Sequence, residues 1–146
     1  MPHKIIYFSK YTGLMALVVW ISITSCQDQE RVKRDQYLAE GFALFDTHCA
    51  NCHQRDGKGL ENLYPAISLE HLKNKEQVIC WIKYGIHQPM TVNGKNFDRP
   101  MPANPALKEL EIAEITTYLY NTWGKETSIT TIDTVEKALE KCTLSL

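Results

Sequence analysis

Two cysteines three residues apart and followed at once by a histidine, Cys49-Ala50-Asn51-Cys52-His53, constrain this chain more than any other feature. In a helical turn, residues three apart project from one side, so both thiols can reach one edge of a flat macrocycle. His53, four residues after Cys49, then lies beneath the same ring. C-x-x-C-H is the pattern that attaches haem c, through two thioether bonds to porphyrin vinyl groups and a proximal nitrogen on iron. A chain that carries its cofactor this way must fold around it. Other uses of a C-x-x-C pair fit the surroundings less well. A thioredoxin-like redox pair sits in a βαβ pattern, which this sequence does not show. A structural zinc site needs four ligands, usually as two closely spaced pairs, whereas Cys80 and Cys142 are far apart.

The N-terminus carries an export pattern to be set aside before any fold is argued. Lys4 and Lys10 precede the apolar run Leu14-Met15-Ala16-Leu17-Val18-Val19-Trp20-Ile21, and no acidic residue occurs before Asp28. The run is shorter than the roughly 20 apolar residues a membrane span takes. Ile23-Thr24-Ser25-Cys26 resembles a bacterial lipobox, so residues 1–25 are expected to be a lipoprotein signal peptide and Cys26 the lipidated mature N-terminus. Several acyl chains hold a protein firmly, since each buried CH₂ contributes about 0.8 kcal/mol. The expected location is the bacterial cell envelope, on its periplasmic side, where covalent haem attachment takes place.

Charge narrows the partners. The whole chain has a formal charge of −1, with no basic stripe to neutralise phosphates, so nucleic acid is not an expected partner. Loss of residues 1–25 removes Lys4 and Lys10 and no acid, which leaves 14 basic and 17 acidic residues. The apolar content of 44% is that of an ordinary globular protein.

Beyond the anchor, residues 26–34 are polar and read as a tether. From Asp35 the pattern turns helical, with Tyr37, Leu38, Phe42 and Phe45 at helical spacings. Residues 54–70, with Gly57, Gly59 and Pro65, read as loop. Asn74-Lys75-Glu76-Gln77 has the form of a capping box; Val78, Ile79, Ile82 and Ile86 come next, and Gly85 marks the end. Residues 87–105 are rich in proline and contain Asn93-Gly94, a strong hairpin signal. A third helix is predicted from about Lys108 to Trp123, with Ile112, Ile115, Leu119 and Trp123 as its apolar stripe. Residues 125–146 read as a C-terminal tail with a short helix around Thr134–Lys141. The predicted fold class is all-α and loop-rich.

The sixth position on the iron separates an electron carrier from a catalyst, and a thioether there raises the potential. Met101 lies between Pro100 and Pro102 in a proline-rich loop, which holds a side chain at low entropy cost. It is the expected axial ligand; Met90, next to the hairpin, reads as core filler. His71 and His87 are the weaker, bis-histidine candidates.

With these residues in view, Gly41 to Gly124 resembles a class I cytochrome c domain, here taken as residues 35–124. Gly57-Lys58-Gly59 and Leu63-Tyr64-Pro65-Ala66-Ile67 resemble the family segment after the attachment site, and the stretches around Met101-Pro102 and Ile115–Gly124 resemble small bacterial monohaem cytochromes. The resemblance implies a fold of three main helices and loops around one covalent haem c. It implies that the Pro65 carbonyl accepts a hydrogen bond from His53, and that Gly41, Phe45 and Tyr118 serve the crossing of first and last helices rather than chemistry. Lys108 departs from the family, which commonly has Ser or Thr as the cap of the last helix, at a cost of about 1 kcal/mol.

The expected function is single-electron transfer between redox proteins, with no catalytic residues and no small-molecule substrate. The competing readings are a peroxidase-like enzyme or gas-binding protein with a labile sixth ligand, and a cytochrome subunit of a larger respiratory complex. Cys80 and Cys142 remain. In an oxidising compartment spare thiols often pair, so a disulfide between them stands against two separate buried thiols.

Overall fold

In the computed structural model the described residues are 29–143, with Met15 alone before them. Apart from Met15, the expected signal peptide lies outside these residues, as does Cys26, the expected site of lipidation. The chain divides after Asp35, and the unit that begins at Gln36 contains the rest of the chain. Among the described residues, no helix is long and apolar enough to cross a membrane.

Helix α1 is described over residues 29–48. Residues 29–34, expected as part of a polar tether, are therefore helical. Glu30, Arg31, Lys33 and Arg34 lose little rotamer freedom in a helix, so a polar segment can still be a helical one. The helix ends at Cys49, and the one-turn α2 comes next at Ala50–His53. Gln54 then takes φ 60° and turns the chain into the expected loop. A 3₁₀ turn at His71–Lys73 leads into α3, Lys75–Tyr84. Asn74 caps α3 as its sequence predicts, with its side chain accepting from the Gln77 N–H at 3.1 Å. Gly85, at φ 75°, closes the helix.

Ile86 corrects the apolar pattern. It does not extend α3 but forms an isolated antiparallel bridge with Met101. The hairpin stands where Asn93-Gly94 predicts it: β1, Met90–Val92, pairs antiparallel with β2, Lys95–Phe97. Asn93 and Gly94 take φ of 51° and 76°, both in the region that a tight turn between twisted strands requires. Helix α4 runs over Glu109–Thr122. Lys108 offers no side-chain acceptor, but its own N–H donates to Glu111 Oε2 at 2.8 Å, so the return half of a capping box survives.

The largest departure is the C-terminal segment. Where a tail with a short helix around Thr134–Lys141 was expected, a longer helix, α5, spans Ile132–Thr143 and packs on α3 and α4. Val135 and Ala138 are fully buried in the main core beside Ile79, Ile112 and Ile115. Cys142 is joined to Cys80 on α3 by a disulfide, with the two Cα atoms 5.8 Å apart. The helix itself is legible in the sequence, since Val135, Ala138, Leu139 and Cys142 recur at helical spacing. Its burial becomes evident only when α3 and α4 are beside it.

The first and last helices of the expected domain meet at Gly41. A Cβ there would overlap the Glu114 carbonyl oxygen and lie 2.8 Å from Tyr118 Cβ, so only glycine permits this approach. Phe45 and Tyr118 fill the crossing, with ring centroids 5.4 Å apart. The fold is helical, with one small sheet among the described residues, and it leaves a cavity between α1, α3, α4 and the loops.

Candidate functional site

The cavity is open to solvent on one side and its walls are mostly apolar. An apolar cleft of this kind suits an organic cofactor. Its lining draws on distant parts of the chain: Phe45 from α1, Val78, Trp81 and Ile82 from α3, Phe97 from the hairpin and Leu119 from α4. Cys49, Cys52 and His53 form one edge, and Met101 also lines it. The structure thus brings the sequence-predicted residues of this domain into one place.

Local structure explains the arrangement of the C-x-x-C-H segment. The Cys49 N–H still bonds to the Phe45 carbonyl at 2.9 Å, and the His53 N–H bonds to the Cys49 carbonyl at 2.9 Å. One continuous helical turn therefore carries both thiols and the imidazole. Both cysteines are free and half-buried. Burial, with Cys52 close by, pushes the Cys49 thiol up to about 12, so it stays protonated. Outside the turn, Asp46 and Arg55 pair bidentately at 2.6 and 2.7 Å, bracketing it.

His53 Nδ1 lies 3.1 Å from the Pro65 carbonyl oxygen. A carbonyl only accepts, so Nδ1 carries the hydrogen and Nε2 keeps its lone pair. Burial lowers the imidazole's proton affinity, opposed by the Pro65 bond, with nearby His71 acting in the same direction as burial. The ring is thus oriented, neutral and free to donate an electron pair, the state a metal-bound histidine needs. The Pro65 segment is itself held. The Gly59 N–H bonds to the His53 carbonyl at 2.8 Å and the Ile67 N–H to the Gly57 carbonyl at 2.8 Å. Gly59 has φ 69°, and a Cβ on it would fall 2.7 Å from the Pro65 carbonyl oxygen.

The Met101 segment is fixed by its main chain. Met101 and Ile86 exchange two backbone hydrogen bonds, each 2.9 Å. Gly85 makes room, since a Cβ there would overlap the Met101 carbonyl oxygen. The loop beyond is tied to the end of α3 by Lys83 Nζ, which donates to the Leu107 carbonyl at 2.6 Å. Met90 lines the same cavity from the hairpin, so the structure brings both methionines to the wall. Of the two histidine candidates, His71 lines the cavity and His87 is not among its lining. His71 Nδ1 lies 2.6 Å from Ser68 Oγ.

These residues fit a haem. Among the described residues no group of three or more His, Cys, Asp or Glu side chains could hold a bare metal ion. One imidazole and one thioether in an apolar cavity instead suit an iron whose other four donors belong to a macrocycle. Two lining residues went unnoticed as a pair in the sequence, Tyr64 and Arg99. The available signal was a single arginine inside the proline-rich Met101 loop.

Comparison with known proteins agrees with this geometry. The family described as Cytochrome c matches residues 38–123. Two relatives named cytochrome c-552, one from Thermus thermophilus and one from a named strain of that species, are each 27% identical to the chain over 92 residues. The matched part is 59% of this chain in both cases, and 70% and 62% of the respective relatives. Residues beyond 123, including α5 and Cys142, lie outside the family match.

Proposed function

Because the chain belongs to the cytochrome c family, a family of electron-carrying haem proteins, we propose that it carries single electrons through one haem c with His53 and Met101 as axial ligands. Cys49 and Cys52 are the thioether attachment points, and Pro65 is the acceptor that orients His53. The observation that carries the reading is the convergence of both thiols, a carbonyl-oriented neutral imidazole and Met101 on one apolar cavity. Haem c supplies the Fe(III)/Fe(II) couple. The protein's part is to hold both ligands in place during the change of charge, so that little else reorganises. The Pro65 bond does this for His53, and the paired Ile86 bonds do it for the Met101 main chain. The surrounding isoleucine, valine and aromatic side chains exclude water and favour the less charged state.

The same proposal places the protein in a bacterial envelope, on the periplasmic side. There Cys26 anchors it by lipid, residues 26–34 form the lead-in, residues 35–124 are the cytochrome domain, and the partners are redox proteins. The lipobox-like Ile23–Cys26 and the C-x-x-C-H motif support this, since covalent haem attachment belongs to that side of the membrane.

Optical spectra of the full-length protein, oxidised and reduced, test the ligand set. Sharp low-spin bands, and no response of the reduced form to carbon monoxide, are expected. High-spin iron with rapid carbon monoxide binding would overturn the electron-carrier reading in favour of a catalyst or sensor. Met101→Ala should lower the midpoint potential and open the iron to carbon monoxide; an unchanged spectrum would remove Met101 from the ligand set.

A further inference from the structure

Given the haem and anchor reading above, the five cysteines of this chain are divided among three incompatible chemistries. Cys26 goes to lipid, Cys49 and Cys52 to thioethers, and Cys80 and Cys142 to a disulfide. Thioether formation needs thiols: each S–H adds across a vinyl group, making one C–S and one C–H bond, and no electrons leave. The disulfide is the opposite case. Cys80 and Cys142 give up two electrons and two protons to a disulfide-donor protein of the envelope, whose own bond is reduced to two thiols by exchange. One pair must therefore stay reduced while the other is oxidised in the same compartment.

Chain statistics do not make that distinction. Cys80 lies less than half as far from Cys52 as from Cys142 along the sequence. In an unstructured chain, closure of the wrong loop, Cys52 to Cys80, is favoured about threefold over closure of the right one.

The fold does make it. Val78, Trp81 and Ile82 of α3 line the cavity, and Cys80 falls on the other side of the helix, where it meets Cys142. Neither Cys80 nor any described residue of α5 belongs to the cavity lining, whereas Cys49 and Cys52 both do. Helix α5 packs on α3 and α4, and its Val135 and Ala138 are buried in one cluster with Ile79 and Ile112. Docking of α5 is enough to bring the two sulfurs together, with no part for the loops that carry Pro65 and Met101. Once closed, the bridge is sheltered, since Cys142 is 7% exposed and exchange requires a thiolate to reach a sulfur.

We propose that α3 and α5 sort the thiols of this chain: their packing closes the Cys80–Cys142 bridge before haem is attached, which leaves Cys49 and Cys52 as the pair that meets the vinyl groups. Helix α5, which lies beyond the family match, then serves the making of the haem-loaded protein as well as its stability.

The test expresses the full-length chain in a bacterium that attaches haem c in its envelope, beside the variants Cys142→Ala, Cys80→Ala and the two combined. Two quantities are read: covalent haem per surviving chain, from intact mass, and the disulfide map after alkylation of free thiols. Each single variant leaves one thiol without its partner, so it should carry several-fold less haem and show that thiol bridged to Cys49 or Cys52. Cys142→Ala, which leaves the nearer Cys80, should lose more than Cys80→Ala. The combined variant has no thiol to misplace and should recover most of the wild-type loading, a result that a purely bracing bridge would not give. Single variants loaded like the wild type, or a combined variant loaded as poorly as the single ones, overturn the proposal. Cys49→Ala combined with Cys52→Ala tests the order of events. Cys80 and Cys142 should still be bridged in that haem-free chain, and free thiols there overturn the proposal equally. If the combined Cys80 and Cys142 variant leaves no chain to measure, this last result decides. A wild type without covalent haem ends the haem reading itself, whereas a loaded wild type with equally loaded single variants ends only this proposal.

Discussion

The cavity side of the domain and its α5 side are held together by different means. Around the cavity, irregular chain predominates: residues 54–70 and the Met101 loop are fixed by prolines, positive-φ glycines and a few backbone hydrogen bonds, among them the reciprocal Ile86–Met101 pair. On the α5 side, regular helices pack through fully buried Ile79, Ile112, Val135 and Ala138, and a disulfide crosses between them. Helix α3 belongs to both. Val78, Trp81 and Ile82 line the cavity at helical spacing, while Cys80 is tied to α5. The contrast teaches that a cofactor-binding wall can be built from loops when a rigid layer behind it bears the packing. The Met101 loop is then free to bring its methionine to the cavity, while the helical turn of α2 brings His53 there.

The comparison breaks first at the disulfide. The bridge closes 62 residues of chain, and in the chain-entropy account such a loop is worth about 4 kcal/mol. Cys80→Ala combined with Cys142→Ala should therefore lower the unfolding free energy of the haem-loaded protein by about that amount in denaturant titration. Its visible spectrum and midpoint potential should stay as in the wild type. A changed spectrum would mean that the two sides are one mechanical unit.

A smaller loss, about 2–3 kcal/mol, is expected from Gly41→Val, because the added side chain must push α1 away from the Glu114 carbonyl. Helix α1 also carries Phe45 and leads into Cys49, both of the cavity wall. Unlike the disulfide variant, this one should disturb the haem bands as well as stability, and bands identical to the wild type would show that the helix crossing is independent of the site.

The smallest effect should come from the exposed ion pair between Lys141 on α5 and Glu76 on α3, 2.5 Å apart with side chains 62% and 53% exposed. Lys141→Ala should cost less than about 0.5 kcal/mol, a difference that vanishes in high salt. A larger or salt-insensitive loss in thermal melts would show that charge, and not the buried helix face, seats α5.

Local features were legible in the sequence wherever the controlling physics is local. The C-x-x-C-H turn, the Asn74 cap, the Asn93-Gly94 turn and the apolar stripe of α4 each depend on neighbours within a few positions. The sequence likewise places a histidine and a proline-flanked methionine in one chain and names glycine at position 41. Tertiary structure decided the rest. Ile86 fits the α3 pattern by spacing, but Gly85 ends the helix and Met101 offers the Ile86 backbone its partner, so it pairs rather than coils. Residues 132–143 form a core helix because α3 and α4 supply the surface that buries Val135, Ala138 and Cys142. Arg99 and Tyr64, 35 residues apart, meet only because the loops around them close over the same cavity. Periodicity and spacing report what a segment does alone; which distant segments share a surface depends on the free energy of burying them together.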